Sequence, residues 1–424
     1  MDRRNFLKLA SAAGLSVVSP VVYGERGIKE PARPTAAYEG LCFIFVNAGG
    51  GWDPTSLCDP KGAAYEDDPE RMNNYLADDI ETAGNIRYAP VAGNAAFFQK
   101  YYDRTLVVNG IDMLTNGHDA GNRHTWSGRL SEGYPSMAAF FAAAFDPAAP
   151  LAFLSFGAYS ETAGLVARTR SGNINVLQRL AYPSRMNPDD ESSEFHSAYA
   201  QEMITKAQRD REVALLAGQG LPRIRQSMST LFTSRSGSNE LRRLTEYLPE
   251  TFSDNQIGQQ AQLALAAYKA GVCVSANLSI GGFDTHGNHD QSHFPRLQSL
   301  TEGLDVLWSE AEAMGIADRV FVAVGSDFGR SPGYNDGQGK DHWPITSMMF
   351  MGAGVQGNRV VGASTDRHQS IGVNLDTLAV DNSPDAPHIE PGHVCQAIRK
   401  LAGVHESELA AMFPIENQQV PLFG

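Results

Sequence analysis

Apolar segments alternate with polar, helix-favouring stretches along most of the chain. Strands buried on both faces are apolar on both, and they occur in parallel sheets that helices cover. Helix-like stretches at 134–145 and 294–314 supply such a cover. The pattern predicts one α/β domain, residues 41–424, with a doubly wound, mostly parallel sheet flanked by helices. The strand-like segments are residues 41–53, 104–112, 151–157, 271–284, 319–329 and 345–354.

The segment from about 173 to 270 departs from this alternation. It is polar, charged and helix-favouring, as in "SEFHSAYAQEMITKAQRDREVALLAG". Because such a stretch lies between two buried strands, it predicts a helical insertion that packs over or beside the sheet.

The first residues form a targeting pattern. Arg3 and Arg4 stand in "RRNFLK", ahead of a modest apolar stretch, which resembles a twin-arginine (Tat) export signal. We therefore expect a signal peptide at 1–24, a linker or arm at 25–40, recognition by the Tat translocase, and a periplasmic or secreted protein. A chance arginine pair in a cytoplasmic protein is the alternative.

Composition excludes several classes of protein. The net charge of −14 argues against a nucleic-acid partner, since phosphate binding needs a basic face, so none is expected. The N-terminal apolar stretch is interrupted by Gly14 and Pro20 and is short for a bilayer, so no stable membrane span is expected. The four cysteines share no C-x-x-C spacing, which argues against a thiolate zinc site and a redox motif.

Three predicted strands end in a glycine- or serine-containing turn followed by an aspartate. These are Asp53 after "FVNAGGGW", Asp284 after "SIGGF" and Asp327 after "VAVGS". Ligand sites of parallel α/β sheets lie outside the carboxyl ends of the strands, so the three carboxylates should share one crevice. Since like charges repel there, a cation is expected to neutralise them.

Imidazoles and a further carboxylate accompany these aspartates. His286 stands two residues after Asp284, and Asp341 and His342 occupy the later loop "GQGKDHWP". Carboxylate and imidazole ligands on separate loops suit a divalent metal such as Zn, Mn, Mg or Ca. Each motif alone is more often a polar loop, but together they favour a metal site.

The motifs "GGFDTHGNH" and "GSDFGRSPGYNDGQGKDHWP", after an early "GGGWD", closely resemble the bacterial family called domain of unknown function 1501. That family is placed with the alkaline phosphatase/sulfatase-like superfamily. The resemblance implies an alkaline phosphatase-like core that uses one or two metals on phosphate or sulfate esters. It also implies a metal-ligand set, with Asp341 either a ligand or a neighbour of one. The set comprises Asp53, Asp284, His286, Asp327, Asp341 and His342.

The superfamily places its nucleophile at the amino end of a helix after an early strand. The matching region here offers Thr125 and Ser127, while Arg330 is a candidate anion clamp or a structural ion pair. Phe328 stands where many relatives have a histidine, which puts a second metal in doubt. A formylglycine sulfatase is excluded, because no cysteine lies between residues 59 and 272.

Four other histidines have open roles. His118 and His124 are candidates for extra ligands or substrate contacts, with ordinary loop residues as the alternative. His289 and His293 are expected at a solvated helix start, with metal ligands as the alternative.

Two functions from different classes follow. The first is an exported metal-dependent hydrolase acting on a small-molecule or polysaccharide ester of phosphate or sulfate. The second is a non-catalytic envelope protein of the same fold that binds a polysaccharide or a protein partner. A Tat-exported redox enzyme is disfavoured, because copper-type His-Cys-His clusters and iron–sulfur cysteine spacings are missing from the sequence.

Overall fold

A computed structural model gives the fold of residues 37–170, 181–182, 184–187, 190–221, 224–225, 228 and 238–423. The predicted signal peptide at 1–24 and the larger part of the predicted arm at 25–40 lie outside the described residues. The described strands are β1 (Cys42–Gly49), β2 (Glu81–Ala83), β3 (Ile86–Tyr88), β4 (Thr105–Asp112), β5 (Phe153–Ser155), β6 (Arg168–Thr169), β7 (Ser275–Gly281), β8 (Val320–Ser326), β9 (Gly329–Arg330), β10 (His342–Trp343), β11 (Ile345–Gly352) and β12 (Arg359–Val361).

Helices lie between these strands and after the last of them. The described α-helices are α1 (Asn94–Tyr101), α2 (His118–Ser127), α3 (Met137–Phe145), α4 (Ala198–Gly218), α5 (Ser238–Thr245), α6 (Gln256–Lys269), α7 (His289–Ala313), α8 (Pro391–Leu401) and α9 (Glu408–Met412).

The centre of the domain is an eight-stranded sheet with the strand order β12-β4-β11-β8-β1-β7-β5-β6. Five of its neighbouring pairs are parallel, and β11 runs antiparallel to both β4 and β8. The predicted α/β fold with a mostly parallel sheet is therefore confirmed. Each of the six predicted segments contains one of its strands.

Both faces of the sheet are buried, as the continuous apolar pattern of the strands requires. In β1, Ile44 and Val46 face a core that includes residues of α1, α6 and α7. Phe43 and Phe45 face the opposite core, to which α3 and α8 contribute. Phe43 stacks on Phe141 of α3 at a centroid separation of 4.2 Å. Helices α1, α6 and α7 therefore cover one face of the sheet, and α3 and α8 cover the other.

The range predicted as an insertion contains two kinds of helix. None of the residues of α4 is buried. By contrast, α6 is buried along most of its length and packs against α7 and β7. Ala181, Leu241 and Leu244, which precede α6, belong to the same buried core as Ile44 and Val46. Among the residues that the structure describes, no helix is both long and apolar enough to cross a bilayer.

Candidate metal centre

The candidate site lies at the carboxyl ends of the parallel strands, where loops next to four strands bring their side chains together. Asp284 follows β7, Asp327 directly follows β8, and His118 begins α2 after β4. Because β11 is antiparallel, its first residue pairs with the last residue of β4, Asp112. The residues just before β11, including His342, therefore reach the same edge as the carboxyl ends of the parallel strands.

Asp284 lies at the centre of this group, with three imidazoles around it. Its Oδ1 is 3.0 Å from His286 Nε2 and 3.1 Å from His342 Nε2, and its Oδ2 is 3.5 Å from His118 Nε2. The Nε2 atoms of His286 and His342 are 3.0 Å apart. The donor atoms offered by His118, Asp284 and His342 all lie within 4.8 Å of one another.

Each imidazole is held by its other nitrogen. His118 Nδ1 lies 2.5 Å from Asp327 Oδ2, His286 Nδ1 lies 2.8 Å from Asp341 Oδ1, and His342 Nδ1 lies 2.8 Å from the carbonyl oxygen of Asn116. The carbonyl oxygen of Asn116 can only accept a hydrogen bond, so His342 carries a proton on Nδ1. The carboxylates of Asp327 and Asp341 favour the same Nδ1–H tautomer for His118 and His286. The three Nε2 lone pairs then point toward Asp284. Carboxylates and carbonyls behind metal-bound histidines have this arrangement.

Asp327 is the buried anchor of the site. Its Oδ1 accepts the backbone N–H groups of Gly50 at 2.9 Å and Gly51 at 2.7 Å, and its Oδ2 holds His118. Gly50 has φ +118°, and a Cβ atom there would lie 2.5 Å from the backbone nitrogen of Asp284. A glycine is required at this position, and Asp327 orients an imidazole with one oxygen while fixing the turn with the other.

Arg330 is a structural residue of the site. Its side chain is fully buried and donates to the carbonyl oxygens of Gly51 at 2.8 Å and Lys340 at 3.0 Å. It also donates to the Gly50 carbonyl and, at 2.7 Å, to Asp284 Oδ1. Burial alone would raise the pKa of Asp284, but the hydrogen bond and the positive charge of Arg330 outweigh it and lower the pKa to about 2. Arg330 keeps Asp284 ionised and is not free to clamp a substrate anion.

Asp53 does not join the exposed donors. Its carboxylate is fully buried, and its Oδ2 lies 2.6 Å from Lys340 Nζ and 3.2 Å from His289 Nε2. Burial would raise the pKa of Asp53, but the charge of Lys340 and the His289 hydrogen bond hold it well below its usual range. The predicted ligand is instead one half of a buried ion pair. We call the buried residues around this pair the Asp53 cluster: Asp53, Thr55, Asn73, Thr285, His289, His293 and Lys340.

His289 and His293 are fully buried, so the expectation of a solvated helix start is wrong. Burial lowers the pKa of both imidazoles, and for His293 the neighbouring His289 lowers it further. Their spacing of four residues places both rings on one face of α7, where they stack at 4.3 Å between centroids.

The two predicted nucleophiles are pinned inside the protein. Thr125 Oγ1 donates to the carbonyl oxygens of Gly121 and Ser326 at 3.0 and 2.8 Å, and Ser127 Oγ donates to that of Arg123 at 2.7 Å. Both residues are buried near the carboxyl end of α2, whereas the site lies at its amino end. In this conformation neither hydroxyl is available to a substrate.

The sequence gives little indication of the roles of two residues of the site, His118 and Lys340. His118 stands in the polar, glycine-containing stretch "TNGHDAGN", which matches an ordinary loop as well as a ligand. Lys340 lies in a glycine-rich stretch where a lysine is ordinarily solvated. Only the spatial pairing with Asp53, 287 residues away, reveals its role.

Comparisons with solved structures return hydrolases and a synthase at low similarity. The lipoteichoic acid synthase LtaP from Listeria monocytogenes is 8% identical, with 91% of this chain and 75% of that chain covered and a TM-score of 0.40. The PsFucS1 sulfatase from Pseudoalteromonas sp. is 9% identical, with coverages of 90% and 74% and a TM-score of 0.36. The phosphonate monoester hydrolase SpPMH from Silicibacter pomeroyi is 10% identical, with coverages of 86% and 73% and a TM-score of 0.31.

Comparisons of sequence give one family. No curated protein matches the chain significantly. The sequence model of a family described as "Protein of unknown function (DUF1501)" matches residues 42–378. That span contains every donor of the candidate metal centre.

Proposed function

This chain belongs to the DUF1501 family of proteins of unknown function, and we propose that it is an exported, metal-dependent hydrolase of phosphate or sulfate esters. The observation that carries the proposal is the convergence of three imidazole Nε2 atoms on Asp284, with each ring held at Nδ1. The likeness of the motifs to the alkaline phosphatase/sulfatase-like superfamily supports the ester class of substrate.

The donor set fits a divalent cation. Bonds of about 2.0–2.1 Å to nitrogen and oxygen around a tetrahedral zinc ion place neighbouring donors about 3.3 Å apart. The separations of the Nε2 atoms from Asp284 and between His286 and His342 are 3.0 to 3.5 Å. With the protons on Nδ1, the Nε2 lone pairs face one another and a carboxylate, and a cation between them would relieve their repulsion. We therefore assign His118, Asp284 and His342, which are mutually close, as ligands. His286 is the fourth, because its Nε2 lies 3.0 Å from both Asp284 Oδ1 and His342 Nε2, and zinc is the first candidate metal.

Other residues of the chain orient and shield the proposed ligands. A metal ion held by the four donors would supply Lewis acidity toward an ester oxygen. Asp327 and Asp341 orient two of the imidazoles, and the ring of Phe328 packs against His118 and His342 at 4.9 and 4.4 Å between centroids. This apolar cover shields the imidazoles on one side.

Thr115 is the hydroxyl residue beside the amino end of α2. Its Oγ1 accepts the backbone N–H of Gly117 at 3.2 Å, and the carbonyl oxygen of its neighbour Asn116 holds His342. Thr115 is partly exposed, unlike the two predicted nucleophiles. It is thus the nearest alternative along the chain for an attacking hydroxyl.

A non-catalytic envelope protein of the same fold is the second candidate. The observation in its favour is the burial of Thr125 and Ser127, which leaves neither predicted nucleophile accessible. In that case the metal would hold the loops together without turnover of an ester.

Removal of metal is expected to lower the melting temperature, because a ligand that binds only the native state stabilises it. At a free-metal concentration 100 times the Kd the contribution is about 2.7 kcal/mol. Metal content by mass spectrometry and thermal unfolding, before and after exhaustive chelation, test the metal centre. Re-addition of zinc should restore the melting temperature. An unchanged curve after confirmed metal loss would contradict a stabilising metal. Turnover of p-nitrophenyl phosphate and p-nitrophenyl sulfate by the reloaded protein then separates the hydrolase from the non-catalytic alternative.

Export is proposed from "RRNFLK". Replacing Arg3 and Arg4 by lysine should leave the precursor in the cytoplasm, because Tat recognition depends on the arginine pair. Immunoblots of periplasmic and cytoplasmic fractions check this. Replacing Arg26 and Arg33 by lysine serves as a matched control, since both follow the predicted signal peptide. Undiminished mature protein in the periplasm of the first variant would defeat the proposed route.

A further inference from the structure

The Asp53 cluster lies directly behind the proposed metal donors. Thr285 stands in the chain between Asp284 and His286, and Lys340 stands immediately before Asp341 and His342. The backbone N–H of Lys340 donates to the Thr285 carbonyl oxygen at 3.0 Å. The two loops that carry three of the four ligands are therefore joined at their buried sides.

The hydrogen bonds of this cluster have a defined direction. The backbone N–H of Asp53 donates to His293 Nε2 at 2.9 Å, so the proton of neutral His293 is on Nδ1 and faces Thr285 Oγ1 at 3.1 Å. Thr285 Oγ1 then donates to His289 Nδ1 at 2.7 Å in preference to the more distant Phe283 carbonyl oxygen at 3.4 Å. His289 carries its proton on Nε2, which faces Asp53 Oδ2 at 3.2 Å.

The hydroxyl of Thr285 links the two imidazoles, because it accepts from His293 and donates to His289. Without it, His293 loses an acceptor and His289 loses a donor, both in positions that water does not reach, since the two imidazoles are fully buried. The rings would then shift to find new partners, and His293 packs edge-on against Phe283, at 5.1 Å between centroids, in the loop that carries Asp284 and His286.

We propose that Thr285 is a positioning residue that sets the affinity of the centre for its metal through His289, His293 and the Asp53–Lys340 ion pair. The inference rests on the proposed metal centre, which it deepens. Thr285 touches none of the four ligand side chains in the contacts of the described structure, and it acts by fixing the backbone that carries two of them.

Thr285→Val keeps the shape of the side chain and removes the hydroxyl. We expect its affinity for zinc, measured by competition with a chromophoric chelator, to fall by about 10-fold, the lower end of the loss seen when a direct partner of a metal ligand is removed, because Thr285 acts through the backbone. Thr285→Ser restores the hydroxyl and should bind zinc nearly as wild type does. Thr301→Val is the matched control, because Thr301 is equally buried, lies on α7 and bonds only to the Gln298 carbonyl oxygen in the described structure.

The outcomes separate this inference from the metal centre itself. Wild-type protein that binds no divalent ion would overturn both. Wild-type binding with unchanged affinity in Thr285→Val, or an equal loss in Thr301→Val, would overturn the positioning role alone. If Thr285→Val does not fold, nitrogen chemical shifts of labelled histidines in the wild-type protein decide. The role requires an Nε2–H tautomer at His289 and an Nδ1–H tautomer at His293, and any other pair contradicts it.

Discussion

Lys340→Met is expected to lower the free energy of unfolding by about 3–5 kcal/mol, because it leaves the buried carboxylate of Asp53 without its cation. Lys340 Nζ lies 2.6 Å from Asp53 Oδ2 and 2.8 Å from Asn73 Oδ1, and both members of the ion pair are fully buried. Methionine fills a similar volume, so the loss reports on charge more than on packing. Denaturant unfolding of the metal-free protein measures it without interference from metal binding.

The double variant Asp53→Asn, Lys340→Met should recover a large part of that loss, since it removes both charges together. Lys206→Met is the control at an exposed pair, where Lys206 Nζ lies 2.6 Å from Asp210 Oδ2 on α4, and a change below about 1 kcal/mol is expected. A loss at Lys340 no larger than the loss at Lys206 would show that the Asp53–Lys340 pair does not hold the fold together.

Asp284→Asn is expected to weaken metal binding by more than about 100-fold, beyond the range for losing a partner outside the ligand shell. The substitution keeps the shape of the side chain but removes the single carboxylate on which the three Nε2 atoms converge. Divalent cations depend on such charge. Metal per chain after desalting and calorimetric titration with zinc measure the effect.

Asp290→Asn is the matched control for Asp284→Asn. Asp290 lies near the centre and accepts from Tyr334 at 2.7 Å and Asn74 at 2.8 Å, but it is not one of the assigned ligands. The control removes the same charge and should retain metal. The melting temperature of each metal-free variant separates the loss of the Arg330 ion pair from the loss of metal. Full metal occupancy in Asp284→Asn would refute the assignment of the centre.

The sequence predicts the sheet well, because strands that are buried on both faces are continuous apolar runs in the sequence. It does not predict that β11 is antiparallel, since an apolar run such as "ITSMMFMG" has no direction. The orientation depends on the route of the loop between β8 and β11, which packing decides. That one reversal explains how residues before β11 meet residues that follow β7.

The candidate site is only partly visible in the sequence. The structure brings together Asp284, His286, Asp341 and His342, all of which the local motifs pick out. Asp53 also follows the end of a strand, but its carboxylate pairs with Lys340, which is distant in the chain. The residues around Asp53 in the sequence do not predict that ion pair. Burial of His289 is hidden in the same way, because a polar helix start has the same composition whether water or another loop covers it.

The three imidazoles held at Nδ1 also determine how a metal ion would enter the proposed centre. Rings already fixed at Nδ1 lose little rotational entropy when Nε2 becomes a ligand, because folding has set their orientation beforehand. The donors lie at a partly exposed edge of the sheet, so we expect uptake and exchange of the ion without local unfolding. If the proposed centre binds a metal, a folded chain would load it on either side of a membrane, and the bound ion would reflect the metal supply of the compartment.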